Sequence, residues 1–153
     1  NIWSSYGVES EGVFIAYASV YGNTRKAADM LASKLADKGV HVTVSDLARD
    51  DWAECLEDAF RYGKLVLAAP TYNADVFPAM KEFINHLTER NYQNRTVAFI
   101  ENGSWAPMAA KVMTKMLEGS KNLTYAATTV TVRGVLNADS EAQIAALADE
   151  LSK

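Results

Sequence analysis

The sequence predicts an α/β protein: a doubly wound, five-stranded parallel sheet with helices on both faces. Short apolar runs alternate with longer segments of helical periodicity, five times along the chain. Several of the apolar runs are unbroken, as in strands buried on both faces. Right-handed crossovers between parallel strands then distribute the helices over the two faces.

Val13-Phe14-Ile15-Ala16-Tyr17-Ala18 is the first such run and reads as a buried strand. A helix is predicted over 24–38, with Ala27, Leu31 and Leu35 on one face and Gly39 as its stop. Residues 41–46 alternate around Val42, Thr43 and Val44 and read as the second strand. Asp51-Trp52-Ala53-Glu54 has the pattern of a capping box and opens a helix striped by Trp52, Cys55, Leu56, Ala59 and Phe60. Leu65-Val66-Leu67-Ala68-Ala69 is the third strand, stopped by Pro70. Pro78 suits a first helical turn, and Met80, Phe83, Ile84 and Leu87 continue that helix at i, i+3, i+4, i+7 spacing. Val97-Ala98-Phe99-Ile100 is the fourth strand, followed by a helix carrying Ala109, Val112, Met113, Met116 and Leu117. Residues 125–132, rich in Thr and Val, form the fifth strand. Ser140-Glu141-Ala142-Gln143 is a second capping box, opening a helix with Ile144, Leu147, Ala148 and Leu151 inward.

A length of 153 residues suits one domain, assigned to 12–153, with the polar, aperiodic residues 1–11 as a linker or frayed terminus. The chain opens without Met or a signal segment, as a piece of a longer protein or a trimmed stand-alone one would. A net charge of −4 offers no basic stripe for nucleic acid, and no apolar run has the length of a membrane span. Cys55 is the single cysteine, so an internal disulfide is impossible and a reducing cytoplasm is expected. Its place in a helical apolar stripe makes it a core residue. His41 and His86 are far apart in sequence and lack companion ligands at metal spacing, so no metal site is expected.

In a doubly wound sheet ligands bind beyond the carboxyl ends of the strands, at the switch point. Three predicted loops meet there: 19–24, 70–77 and 101–107. The first, Ser19-Val20-Tyr21-Gly22-Asn23-Thr24, joins a buried strand to a helix N-terminus. Free backbone N–H groups, the helix dipole and the side chains of Ser19, Asn23 and Thr24 all favour a phosphate there. The plainer alternative is a polar turn with an Asn or Thr cap. No Gly-Lys-Ser/Thr follows the first strand, so this is not a P-loop, and Gly22 stands without the spaced glycines of a dinucleotide fingerprint. Ser19 and Pro70-Thr71 stand where a phosphoryl-accepting receiver would need acidic residues. The other two loops contain Tyr72 and Phe77, and Trp105, in otherwise polar surroundings. Aromatics at a ligand edge suit a flat ring system.

Ser19 to Thr24, Pro70-Thr71-Tyr72-Asn73 and Asn102-Gly103-Ser104-Trp105 resemble the three FMN loops of the flavodoxin family, short-chain type. Ordinary flavodoxins carry a further hydroxyl residue where this chain has Tyr21, and an aromatic there is more similar to the flavodoxin domain of flavodiiron proteins. That resemblance implies FMN as cofactor, with residues 19–24 on its phosphate arm and Thr71, Tyr72, Asn73, Gly103, Ser104 and Trp105 framing the isoalloxazine. FAD is disfavoured, because a pyrophosphate usually wants the spaced glycines. The implied role is electron transfer to a separate, tethered diiron domain or another redox partner, with a rubredoxin or a reductase as donor. The domain is expected not to be catalytic alone, and no catalytic residue is assigned. Asp75 and Glu101, if close to the ring, would disfavour an anionic reduced flavin. The competing reading is a flavodoxin-like NAD(P)H:quinone reductase, and a flavin-free interaction module is a third.

Overall fold

A computed structural model describes residues 10–18, 23–47, 52–72, 75–76, 78–89, 92, 96–102, 109–117, 123–126, 128–132 and 138–152. The strands are β1 (Ser10–Tyr17), β2 (Val42–Asp46), β3 (Tyr62–Tyr72), β4 (Asp75–Val76), β5 (Thr96–Asn102), β6 (Thr124–Tyr125) and β7 (Val130–Val132). The helices are α1 (Asn23–Asp37), α2 (Trp52–Arg61), α3 (Pro78–Glu89), α4 (Ala109–Met116) and α5 (Ala138–Leu151). The sheet runs β2-β1-β3-β5-β6, with β7 also on β5 and β4 on β3. Every pair except β3–β4 is parallel. The fold is the doubly wound parallel sheet that the alternation of elements predicts, as the flavodoxin resemblance also implies.

The two-residue period of the strands sorts their side chains into two cores. Phe14, Ala16, Leu65, Leu67, Val97 and Phe99 pack with Cys55 and Ala59 of α2, Phe83, Ile84 and Leu87 of α3, and Met113 of α4. Val13, Ile15, Val66, Ala68, Ala98 and Ile100 pack on the opposite face with Ala27, Leu31 and Leu35 of α1 and Ile144, Leu147 and Leu151 of α5. Each large side chain buried this way contributes roughly 1.5–3 kcal/mol relative to exposure. Cys55 is buried, as its stripe predicts.

Helix α1 ends as Gly39 requires. Gly39 has φ 82°, its N–H donates to the Ala36 carbonyl at 3.0 Å, and the Val40 N–H donates to the Leu35 carbonyl at 3.0 Å. These are the two bonds of a Schellman motif. The carboxyl end of α5 has no basic residue in its last turn. Lys64 of β3 supplies the cation from across the sheet, its Nζ donating to the Leu151 carbonyl at 2.5 Å. At the amino edge, Gly12 has φ 145° and the Val13 N–H donates to the His41 carbonyl at 2.9 Å. The Tyr62 hydroxyl is hydrogen-bonded there to His41 Nε2 at 3.0 Å and Thr43 Oγ1 at 3.1 Å.

Four details differ from the sequence reading. Strand β3 does not stop at Pro70 but runs through it to Tyr72. The reason lies in the ladder: Ala68 bonds toward β1, and alternation turns the Pro70 nitrogen to the same side, where β1 has ended at Tyr17. The missing N–H falls past the last β1–β3 pair and not in the middle of the ladder. Second, Thr71 pairs with Val76 and Tyr72 with Asp75, so an antiparallel ribbon replaces part of the expected loop. Third, β5 extends to Asn102, which puts Glu101 in the sheet. Fourth, the fifth strand is divided into β6 and β7. Between them the Thr128 hydroxyl donates to the Glu150 carboxylate of α5.

The second capping box also forms differently. Helix α5 begins at Ala138, two residues before Ser140. The Gln143 Oε1 accepts the Thr131 N–H at 2.8 Å, on the edge strand β7. The amide that the motif reserves for the helix start is used to close a sheet edge. Asp51, the N-cap of the first box, lies outside the described residues.

Candidate functional site

Strands β1 and β3 are neighbours, yet the helices that follow them pack on opposite faces: α1 in one core, α3 in the other. This is the switch point of a doubly wound sheet, where a crevice opens at the carboxyl edge. The two strands stay joined to the rim. Beyond the end of β1 the Ala18 N–H donates to the Ala68 carbonyl at 3.0 Å. On the other side β3 and β5 remain paired through Ala69–Glu101 and Pro70–Asn102. The segments leaving β1, β3 and β5 therefore start from one common edge.

Charge at the helix starts distinguishes these three segments from the rest. Helices α1, α3 and α4, which follow β1, β3 and β5, have no acidic residue in their first turns. Helix α2 has Glu54 there, and α5 has Asp139 and Glu141. Acidic side chains stabilise a helix N-terminus by satisfying its partial positive charge. Leaving it without them suits an anionic ligand. Thr24, in the first turn of the 15-residue α1, is only 1% exposed, so a hydroxyl is held inside the protein at that N-terminus. The donor set at the start of α1 fits a phosphate.

The sequence-predicted site residues fall as follows. Asn23 and Thr24 open α1; Pro70, Thr71 and Tyr72 close β3; Asn102 closes β5, opposite Pro70. The fold thus brings the starts of the second and third loops side by side, through the pair Pro70–Asn102, at the edge that also receives α1. Ser19, Val20, Tyr21, Gly22, Asn73, Gly103, Ser104 and Trp105 lie outside the described residues. Glu101, the first residue of the predicted third loop, lies within β5 at this edge. Glu101 is 9% exposed, and its Oε2 accepts the Thr131 hydroxyl at 2.9 Å. Pattern reading gives no signal for the roles of Thr131 and Gln143, because both depend on pairing between strands distant in sequence.

Among the described residues no group of three or more His, Cys, Asp or Glu could hold a metal ion. No helix among them is long and apolar enough to cross a membrane.

Comparison with known proteins agrees with this geometry. A family model for the flavodoxin domain matches residues 14–139. The coenzyme F420H(2) oxidase of Methanothermobacter marburgensis is 32% identical over 95 residues, covering 62% of this chain and 23% of that protein. The anaerobic nitric oxide reductase flavorubredoxin of Pectobacterium atrosepticum is 25% identical over 121 residues, covering 77% of this chain and 24% of that protein. The chain spans about a quarter of the length of these two relatives. Among solved structures, rubredoxin oxygen:oxidoreductase from Desulfovibrio gigas superposes with a TM-score of 0.89 at 21% identity, over 98% of this chain and 37% of that one. A flavodoxin from the domain Archaea superposes with a TM-score of 0.79 at 16% identity, over 94% of this chain and 96% of that one. With most of its length matched by the family model, the chain belongs to the flavodoxin domain family and has FMN as its cofactor.

Proposed function

We propose that this domain relays electrons through FMN to a separate metal domain of a flavodiiron-type oxygen or nitric oxide reductase. The observation that carries the reading is the shared carboxyl edge, where three acid-free helix starts follow β1, β3 and β5 at the switch point. The names of the longer relatives support the larger assembly: an F420H(2) oxidase, a nitric oxide reductase flavorubredoxin and a rubredoxin oxygen:oxidoreductase. In this reading the FMN domain takes in residues 12–153 together with Ser10 and Glu11, which open β1. A rubredoxin or a reductase is the external donor, and the reducing cytoplasm, suited to a single cysteine outside any disulfide, is the setting.

When bound, FMN supplies the electron-transfer chemistry. The chain's own residues have three tasks. Ser19, Val20, Tyr21, Gly22, Asn23 and Thr24 bind the phosphate through hydroxyls and helix N–H groups. Pro70, Thr71, Tyr72 and Asn73 on one side, with Asn102, Gly103, Ser104 and Trp105 on the other, orient the ring and restrict water. The net charge of −4 gives weak long-range steering. A tethered partner needs little, because a linker supplies a high effective concentration.

Anaerobic stopped-flow mixing of the FMN-loaded chain with NADH or NADPH tests the relay. Slow reduction that does not saturate with nucleotide is expected. Rapid, saturable reduction would replace the relay by a hydride-accepting NAD(P)H:quinone reductase.

A further inference from the structure

We propose that the outer edge of β2 is an interaction surface for a second copy of this chain, paired antiparallel about a two-fold axis through Thr43. The two edges of the sheet differ. At the β7 edge the Thr131 N–H donates to Gln143 Oε1 of α5 at 2.8 Å, and the Thr128 hydroxyl donates to Glu150 of the same helix. At the other edge, among the described residues, β2 pairs with β1 alone. All five residues of β2 are half-buried, whereas Val13 to Tyr17 of β1 beside it are buried. Exposed edges are ordinarily blunted by lysine, proline or a bulge. Strand β2 contains no Lys or Pro, and its register with β1 runs unbroken from Val13–Val42 to Tyr17–Asp46.

The ladder fixes which backbone groups point outward. The Val13 N–H donates to the His41 carbonyl and the Leu47 N–H to the Tyr17 carbonyl, both at 2.9 Å. Alternation along β2 therefore turns the N–H and C=O of Thr43 and Ser45 toward β1, and those of Val42, Val44 and Asp46 outward. A second strand must be met by these outward groups.

The side chains then select the register. Val42 and Val44 pack, half-buried, on the core beneath α1. Antiparallel pairing centred on Thr43 sets Val42 against Val44 of the second copy, on both sides of the axis, and Thr43 against Thr43. Each valine pair exchanges two backbone hydrogen bonds, and like side chains meet across the strands. A centre at Val44 would instead set Val42 against Asp46. Charge agrees with the Thr43 centre. Asp46, the one charged residue of β2, passes the second copy's Val42 and reaches the start of its strand, beside Lys38. The ion pair of Lys38 with Asp149 of α5 puts this cation on the α1 face, and alternation puts Asp46 on the same face. The contact is small, so the dimer is weak and depends on concentration.

The test uses the full chain with its cofactor. Sedimentation velocity over a range of concentrations should show reversible dimers. Val44→Pro removes an outward N–H that makes no bond to β1, and should raise the dimer dissociation constant at least tenfold with FMN content unchanged. Thr43→Lys sets two cations opposite each other across the axis; it should have the same effect and serves where the Pro variant does not fold. Cross-linking with oxidised glutathione reads the register. Cys55 is buried, so an added edge cysteine is the exposed thiol. Thr43→Cys places two thiols on a pair whose Cα atoms are about 4.5 Å apart, within disulfide reach, and should give a covalent dimer. Val44→Cys should not. A chain that stays monomeric at every concentration overturns the proposal. So does a dissociation constant unchanged in either folded variant, or cross-linking at Val44→Cys as ready as at Thr43→Cys.

Discussion

The amide of Ala18 donates to the carbonyl of Ala68 at 3.0 Å, so β1 and β3 part only at the rim of the sheet. Ala68 is buried in the core under α1, together with Ala27, Ala28 and Ala98. Small residues let the helix approach the sheet closely just where its N-terminus must meet a ligand.

Replacing Ala68 by Leu should therefore act at two levels. Overpacking is expected to destabilise the FMN-free domain by about 1–3 kcal/mol. Displacement of α1 should also weaken FMN binding beyond what lost stability explains. Urea unfolding and fluorescence titration with FMN measure the two effects separately. Full affinity in a destabilised variant would show that the position of α1 does not matter to the cofactor.

Thr24 tests the phosphate end. Its hydroxyl is buried in the first turn of α1, which has no acidic residue. Thr24→Ala removes a hydrogen bond to a charged group, about 1.5–3 kcal/mol. FMN affinity is expected to fall by about tenfold or more. Riboflavin, which lacks the phosphate, should bind parent and variant alike. Equal FMN affinity would remove Thr24 from the site.

Gly12 lies at the opposite edge and should affect stability alone. A Cβ there would stand 2.7 Å from the His41 carbonyl oxygen. That oxygen already accepts the Val13 N–H at 2.9 Å and cannot retreat freely. With φ 145° unfavourable for an L side chain as well, Gly12→Ala is expected to cost about 1–3 kcal/mol. FMN affinity per folded molecule should be unchanged. Unaltered urea unfolding would contradict this.

Asp58 gives a pH signature. Burial raises its carboxyl above the ordinary value of 3.8; Arg61, whose Nη1 donates to Asp58 Oδ1 at 2.9 Å, pulls it down, and Glu57 pushes it up. In the window above pH 3.8 the folded chain keeps a proton that the unfolded chain has released. Stability from this group therefore falls as pH rises through the window, and the loss persists above it. Asp58→Asn should lose less stability than the parent between acid and neutral pH, despite losing the charge pair with Arg61. Parallel pH profiles in urea unfolding would contradict the direction.

The parts of the fold visible in the sequence are those governed by local rules. The run Val13–Ala18, the stripe Ala27-Leu31-Leu35 and the stop at Gly39 each follow from period or from backbone freedom. What escaped depends on partners distant in the chain. Pro70 breaks a strand only if its nitrogen has a neighbour to bond, and the end of β1 decides that. Gln143 belongs to a capping pattern until an edge strand offers Thr131 N–H as a competing donor. Glu101 reads as a loop residue until β5 is seen to extend beneath it. Within the site, Asn23, Thr24, Pro70, Thr71, Tyr72 and Asn102 follow from strand–loop–helix order alone. The hydroxyl–carboxylate pair beside them does not, because register between β5 and β7 creates it.

The identity of the bound flavin tests the central claim most directly. The chain is purified with its native cofactor, the flavin is released by heat, and mass spectrometry and absorbance give its identity and stoichiometry. One FMN per chain is the expected result. FAD as the dominant species, or a folded chain that neither retains FMN nor takes it up on titration, would contradict the account.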